Sequence, residues 1–77
     1  MKWTDNLPDA VYNRLCNCRS LKSDISILTQ TRWNHIKTKE GYCKEDSLVY
    51  ILELLDSNSQ DMDLTKDEYN DILYSII

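Results

Sequence analysis

The sequence predicts an all-α protein, a small bundle of about four short helices, and three observations carry that expectation. Its 77 residues include one glycine and one proline, which leaves almost nothing for tight turns. No Asn-Gly or Asp-Gly pair marks a hairpin, and no long period-two alternation marks a strand. Apolar residues instead recur three and four apart along most of the chain. One domain spanning residues 1–77 is expected. A chain this short hides only about 60% of its unfolded surface, so its core is small.

Pro8 is expected to open the first helix, because its missing N–H falls where no intrahelical partner exists. Asn6 or Leu7 precedes it, and Asp9 sits against the positive end of the helix dipole. Leu7, Val11, Leu15 and Cys18 then form one apolar face. A second helix runs through Leu21, Ile25, Leu28, Trp33 and Ile36, with Ser20 or Ser23 as its cap. Nothing compels a break between them, so one long bent helix over residues 8–38 is the alternative to the two favoured here. Gly41, after Lys-Thr-Lys-Glu, reads as the helix stop.

The stretch KEDSLVYILELLDS, residues 44–57, is the third helix, with Asp46 as its expected cap. Between Leu48 and Leu55 only Glu53 is polar, so this helix is either central or half covered by a partner, and a homodimer through its spare apolar face is compatible with the pattern. The fourth helix carries the strongest local signal. Thr65 and Glu68 form a capping box, Leu64 and Tyr69 a hydrophobic staple, and Tyr69, Ile72, Leu73 and Ile76 a buried stripe.

Composition excludes several functions. No run of about 18 apolar residues exists to span a membrane. The opening MKWTDNLPDA lacks the apolar stretch of a signal peptide. Three cysteines, Cys16, Cys18 and Cys43, are an odd number and fit reduced thiols in a cytoplasmic protein. One histidine and one glycine leave no nucleophile pair, oxyanion loop or phosphate cradle, so a non-enzymatic protein without a cofactor is expected.

Three constellations resemble ligand sites. The stretch from Asp56 to Glu68 has the entry and exit of a calcium loop, with Glu68 at the twelfth position. Its middle fails: counted from Glu68, the first and third ligands are Ser57 and Ser59, and Met62 holds the glycine position. A capped helix accounts for the acidic run without metal. Cys16, Cys18, Cys43 and His35 match a Cys₃His zinc set in type. On a helix, however, a Cys-x-Cys spacing points the two thiols about 200° apart, and buried small hydrophobes are the expected reading. Residues 14–44 are basic, and within them Arg32, Lys37, Lys39 and Lys44 interleave with Trp33, His35 and Tyr42. That pattern suits a nucleic-acid-binding regulatory module as the alternative function, although a net charge of −4 disfavours it.

Charge is divided unevenly. Residues 1–44 hold eight cations against four acids, and residues 45–77 hold Lys66 against nine acids. One reading is that the halves neutralise each other across the fold. The other is that the surplus acid steers a basic partner. Asp67, Asp71 and Tyr74 fall at i, i+4 and i+7 on the last helix, off its buried stripe, with Asp61 and Asp63 at its entrance and Asp56 closing the helix before. Five tyrosines and two tryptophans with no phenylalanine favour half-wet, interface-like aromatic positions. The leading expectation is a small inhibitor or regulator that docks this acidic face, with Tyr74 as anchor, on a basic surface of a larger protein, such as a nucleic-acid channel. In composition the chain resembles early proteins of bacteriophages and mobile elements, a class that includes anti-defence inhibitors such as anti-CRISPR proteins.

Overall fold

A computed structural model describes residues 2–60 and 63–77. A 3-10 turn, Trp3–Asn6, precedes four α-helices: α1 (Asp9–Cys16), α2 (Lys22–Ile36), α3 (Lys44–Ser57) and α4 (Lys66–Ser75). The fold is a small all-α bundle with no strand among the described residues. Two helices, not one bent helix, precede Gly41.

One acidic device starts four of these five elements. A carboxylate three residues past the cap reaches back to the cap's free N–H: Asp5 to Lys2 at 3.2 Å, Asp24 to Leu21 at 2.9 Å, Asp46 to Cys43 at 2.6 Å and Glu68 to Thr65 at 3.4 Å. At Thr65 the hydroxyl answers by accepting the Glu68 N–H at 3.2 Å, completing the box. The expected caps therefore shift. Leu21 replaces Ser20 or Ser23, and Asp46 serves from inside the helix behind Cys43. Pro8 precedes α1 as its cap instead of forming its first residue.

The helix ends use left-handed residues that are not glycine. After α1, Cys18 has φ +55°, its N–H reaches the Leu15 carbonyl at 3.2 Å, and the Arg19 N–H reaches that of Arg14 at 2.9 Å. After α3, Ser59 has φ +61°, with Ser59 N–H on Asp56 at 3.0 Å and Gln60 N–H on Leu55 at 2.9 Å. Both are Schellman ends. The two meet, because the Ser20 N–H donates to Gln60 Oε1 at 3.0 Å in a buried contact. Gly41 does adopt a positive φ of 87°, but it turns the α2–α3 connection five residues beyond the end of α2 at Ile36.

The central helix is α2, which touches the 3-10 turn and all three other helices. Its buried residues Asp24, Ile25, Leu28, Thr29, Thr31 and Ile36 cover about half of its circumference at ~100° per residue. α3 is the half-covered helix: Leu48, Ile51 and Leu55 are fully buried against α2, whereas Val49 and Tyr50 are exposed. Trp3, Leu7, Val11 and Leu15 close the core on one side, and Ile72 of α4 with Ile76 just past its end on the other. Each such buried side chain contributes about 1.5–3 kcal/mol. Cys18, expected on the α1 apolar face, lies past the helix end and is exposed. The molecule measures 32 × 32 × 19 Å. Its thin dimension is about two helix diameters of ~10 Å, so no helix is wrapped on all sides.

One charged pair is structural. Asp24, 1% exposed, accepts from Arg14 Nε at 2.8 Å and Nη2 at 2.7 Å while capping α2 through Leu21. The pair locks α1 to α2. The Arg14 guanidinium, with the Leu21 N–H, holds the Asp24 carboxyl below the usual carboxylate range despite its burial.

Candidate protein-docking face

The inner side of α4 is fixed at both ends. Ile72 is buried, and Leu64, Tyr69 and Leu73 pack partly buried against the core. The Tyr69 hydroxyl donates to Glu45 of α3 at 2.8 Å. Burial first, then that hydrogen bond, pushes its phenol up to about 12. Glu68 meets Lys22 of α2 at 3.5 Å, a weak exposed pair. Beyond the helix, Gln30 brackets Ile77 from both sides, donating to its carbonyl at 3.2 Å and accepting its N–H at 2.9 Å. Lys44 Nζ donates to the Ile76 carbonyl at 2.9 Å.

The outer side is left to solvent. Asp67, Asp71 and Tyr74 are exposed on one face, and Tyr74 is 89% exposed. Asp63 is exposed at the entrance. Asp61 lies outside the described residues. Asp56 is exposed in the last turn of α3, where its register joins it to Val49 and Glu53 at i, i+4 and i+7. Among the described residues no cation comes within 4.0 Å of the carboxylates of Asp56, Asp63, Asp67 or Asp71. A cavity of about 520 Å³ opens beside Tyr74, between α4 and the first turn of α3, lined by Cys43, Lys44, Glu45, Asn70, Leu73 and Tyr74. No sequence signal marked this cavity, because it forms from residues far apart in the chain.

The cations of residues 14–44 are largely committed. Arg14 holds Asp24, Lys22 meets Glu68, and Lys44 holds Ile76. Arg32 stacks over Tyr50 at 4.0 Å from the ring centroid and lies 6.0 Å from Trp3, whose ring meets Tyr50 edge-on. Trp33 is partly buried against the core, so it is not a free stacking platform. Lys37 reaches Asn34 at 3.4 Å. Arg19 and Lys39 make no side-chain hydrogen bond or ion pair among the described residues.

The three cysteines are exposed and free, contrary to their expected burial. α1 ends at Cys16 and the chain turns left-handed at Cys18, so the 200° helical separation does not apply, and both residues line one cavity beneath Tyr12 and Tyr50. No three metal-ligating side chains converge among the described residues. In the calcium-like stretch, Gln60 is buried against Ser20 and Glu68 is occupied by Thr65 and Lys22. Asp61 and Met62 of that stretch lie outside the described residues.

Comparison with known protein families, curated proteins and solved structures finds no match. No helix of the described residues is long and apolar enough to cross a membrane.

Proposed function

We propose that the chain is a non-enzymatic docking module that lays the Asp63, Asp67, Asp71 and Tyr74 face of α4 against a basic surface of a larger protein. The observation that carries this reading is the contrast between the two sides of one helix. The inner side is tied down by hydrogen bonds and apolar contacts, while the outer side holds unpaired carboxylates around an exposed aromatic ring. A helix held so firmly loses little freedom on binding, which favours affinity. Unpaired surface acids raise the rate of encounter with a cationic patch and set its register. Where that patch is a nucleic-acid channel, occupancy inhibits the larger protein.

The alternative, nucleic-acid binding through residues 14–44, has fewer cations to work with than the sequence promised, since Arg14, Lys22, Arg32 and Lys44 are engaged within the molecule. The deciding experiment is a nuclease-treated pull-down from the source cells, comparing the wild type with the Asp63→Asn, Asp67→Asn, Asp71→Asn triple variant. The expected outcome is one large basic protein retained by the wild type and lost by the variant. Equal retention by both rejects the acidic face as the docking surface. Arg32→Gln, Lys37→Gln and Lys39→Gln together should leave that capture intact, whereas a nucleic-acid module would be disabled by them.

A further inference from the structure

We infer that the cavity beside Tyr74 receives a bulky ring, an indole or phenyl side chain that the basic partner carries between lysines or arginines. This inference rests on the docking reading above and names the chemistry of its anchor.

The lining determines what fits. Two of its charged side chains are already engaged: Lys44 Nζ donates to the Ile76 carbonyl at 2.9 Å, and Glu45 accepts the Tyr69 hydroxyl at 2.8 Å. A ligand charge would compete with bonds that hold α4 in place. The remaining walls are Leu73, the Tyr74 ring and the Cys43 side chain, with the Asn70 amide and the Tyr74 hydroxyl free of a hydrogen bond among the described residues. Such a pocket takes an apolar ring and offers one amide to a ring N–H. Its volume of about 520 Å³ lies within the range of roughly 300–1,000 Å³ typical of ligand sites. Interfaces concentrate their energy in such pockets, filled by an aromatic anchor and ringed by polar contacts.

The rim determines what flanks the ring. Asp67 and Asp71 share the outer face of α4 with Tyr74, and Asp63 precedes them. Lys66, in the first turn, is the only cation of α4. The carboxylates thus outnumber it and call for cations on both sides of the inserted ring. A second copy of this chain is a poorer occupant through the same face, because isologous pairing would set these carboxylates against their own copies.

The test uses the full chain under reducing conditions and two synthetic peptides, acetyl-Arg-Lys-Trp-Lys-Arg-amide and its Trp→Ala counterpart, followed by amide and methyl NMR shifts at low salt. The Trp peptide is expected to bind about tenfold more tightly than the Ala peptide, with the largest shifts at Asn70, Leu73 and Tyr74. Filling the cavity with Asn70→Trp should abolish that tenfold preference. So should alkylation of the Cys43 thiolate with benzyl bromide, bromide leaving, on protein carrying Cys16→Ser and Cys18→Ser from which the reductant has been removed. Asp67→Asn with Asp71→Asn should weaken both peptides alike. If the peptides bind equally and both weaken on Asp→Asn substitution, the anchor is wrong and the acidic docking face stands. If the Trp preference survives while Asp→Asn substitution changes nothing, the anchor stands and the acidic face falls. No shifts at millimolar peptide overturn both. Concentration-dependent self-association that broadens the cavity signals assigns the pocket to a second copy and overturns the inference.

Discussion

The Arg14–Asp24 joint and the outer face of α4 use the same carboxylate chemistry for opposite purposes. Asp24 is buried, accepts three hydrogen bonds and binds two helices together. Asp67 and Asp71 are exposed and meet no cation within 4.0 Å among the described residues. The contrast extends across the chain. Half of the eight cations of residues 1–44 are spent on Asp24, Glu68, the Ile76 carbonyl and the Tyr50 ring, while most acids of the last third face water. Asp63, Asp67 and Asp71 thus gather along one side of α4, a local acidity that the net charge of −4 does not convey. A sequence charge count weighs all ions equally, but a partner meets only those that the fold has not already used.

The comparison breaks most easily at Asp24. Asp24→Ala leaves Arg14 without its partner and α2 without its cap, at a cost of about 3 kcal/mol. That is a large share of the roughly 4–11 kcal/mol expected for a chain of this length. Asp71→Ala should change stability by less than ~0.5 kcal/mol. Urea midpoints read both, and equal costs at the two sites would erase the distinction. Acid should reproduce the difference. The Asp24, Asp46 and Glu68 carboxyls are all held below their ordinary range by hydrogen bonds. Below about pH 4 the unfolded chain therefore binds protons first. Their stabilisation is complete above that point and drains away as pH falls through the depressed folded values. Melting followed from pH 5 to pH 2 should show this loss, and Asp24→Asn should reduce its slope.

A smaller effect separates the two classes of arginine. Arg32→Gln removes the stack on Tyr50 and should cost about 1–2 kcal/mol, whereas Arg19→Gln should be neutral. If thermal melts cannot tell these variants apart, the cations of residues 1–44 are not committed as described. Ser59→Gly relieves a left-handed backbone and should gain up to about 1 kcal/mol. A loss would mean that the Ser59 side chain has a role beyond the turn. The smallest effect is the titration of Tyr69. Its folded pKa of about 12 lies above the ordinary tyrosine value of 10.0. The unfolded chain thus releases its proton first, and stability falls as pH rises between those values. Ultraviolet titration should find one phenol near that pH, lowered by Glu45→Gln.

The helices were legible because their apolar spacing is local, and the α4 box was legible because Thr65 and Glu68 both carry the expected side chains. The other starts were missed for an identifiable reason. Lys2, Leu21 and Cys43 do not resemble caps, and the signal lay three residues on, at Asp5, Asp24 and Asp46. The helix ends at Cys18 and Ser59 were hidden by the absence of glycine there. Gly41 drew attention to the wrong side of a loop. Within the docking face, the i, i+4, i+7 spacing of Asp67, Asp71 and Tyr74 could be read directly. The grouping of Asp56 with Val49 and Glu53 required knowing which side of α3 the core covers.

The sequence by itself determined the helical class, the α3 and α4 segments and the outward stripe of α4, since each follows from neighbours within two turns of chain, whereas the break between α1 and α2 came from the structure. Tertiary structure decided which helix is central, which cations remain free, and that a cavity opens beside Tyr74. Those outcomes depend on contacts such as Arg14 with Asp24, Lys44 with Ile76 and Gln30 with Ile77. The partners stand 10, 32 and 47 residues apart. Local periodicity carries no information at that range, because it sets the direction of a side chain along its own helix and not what meets it there.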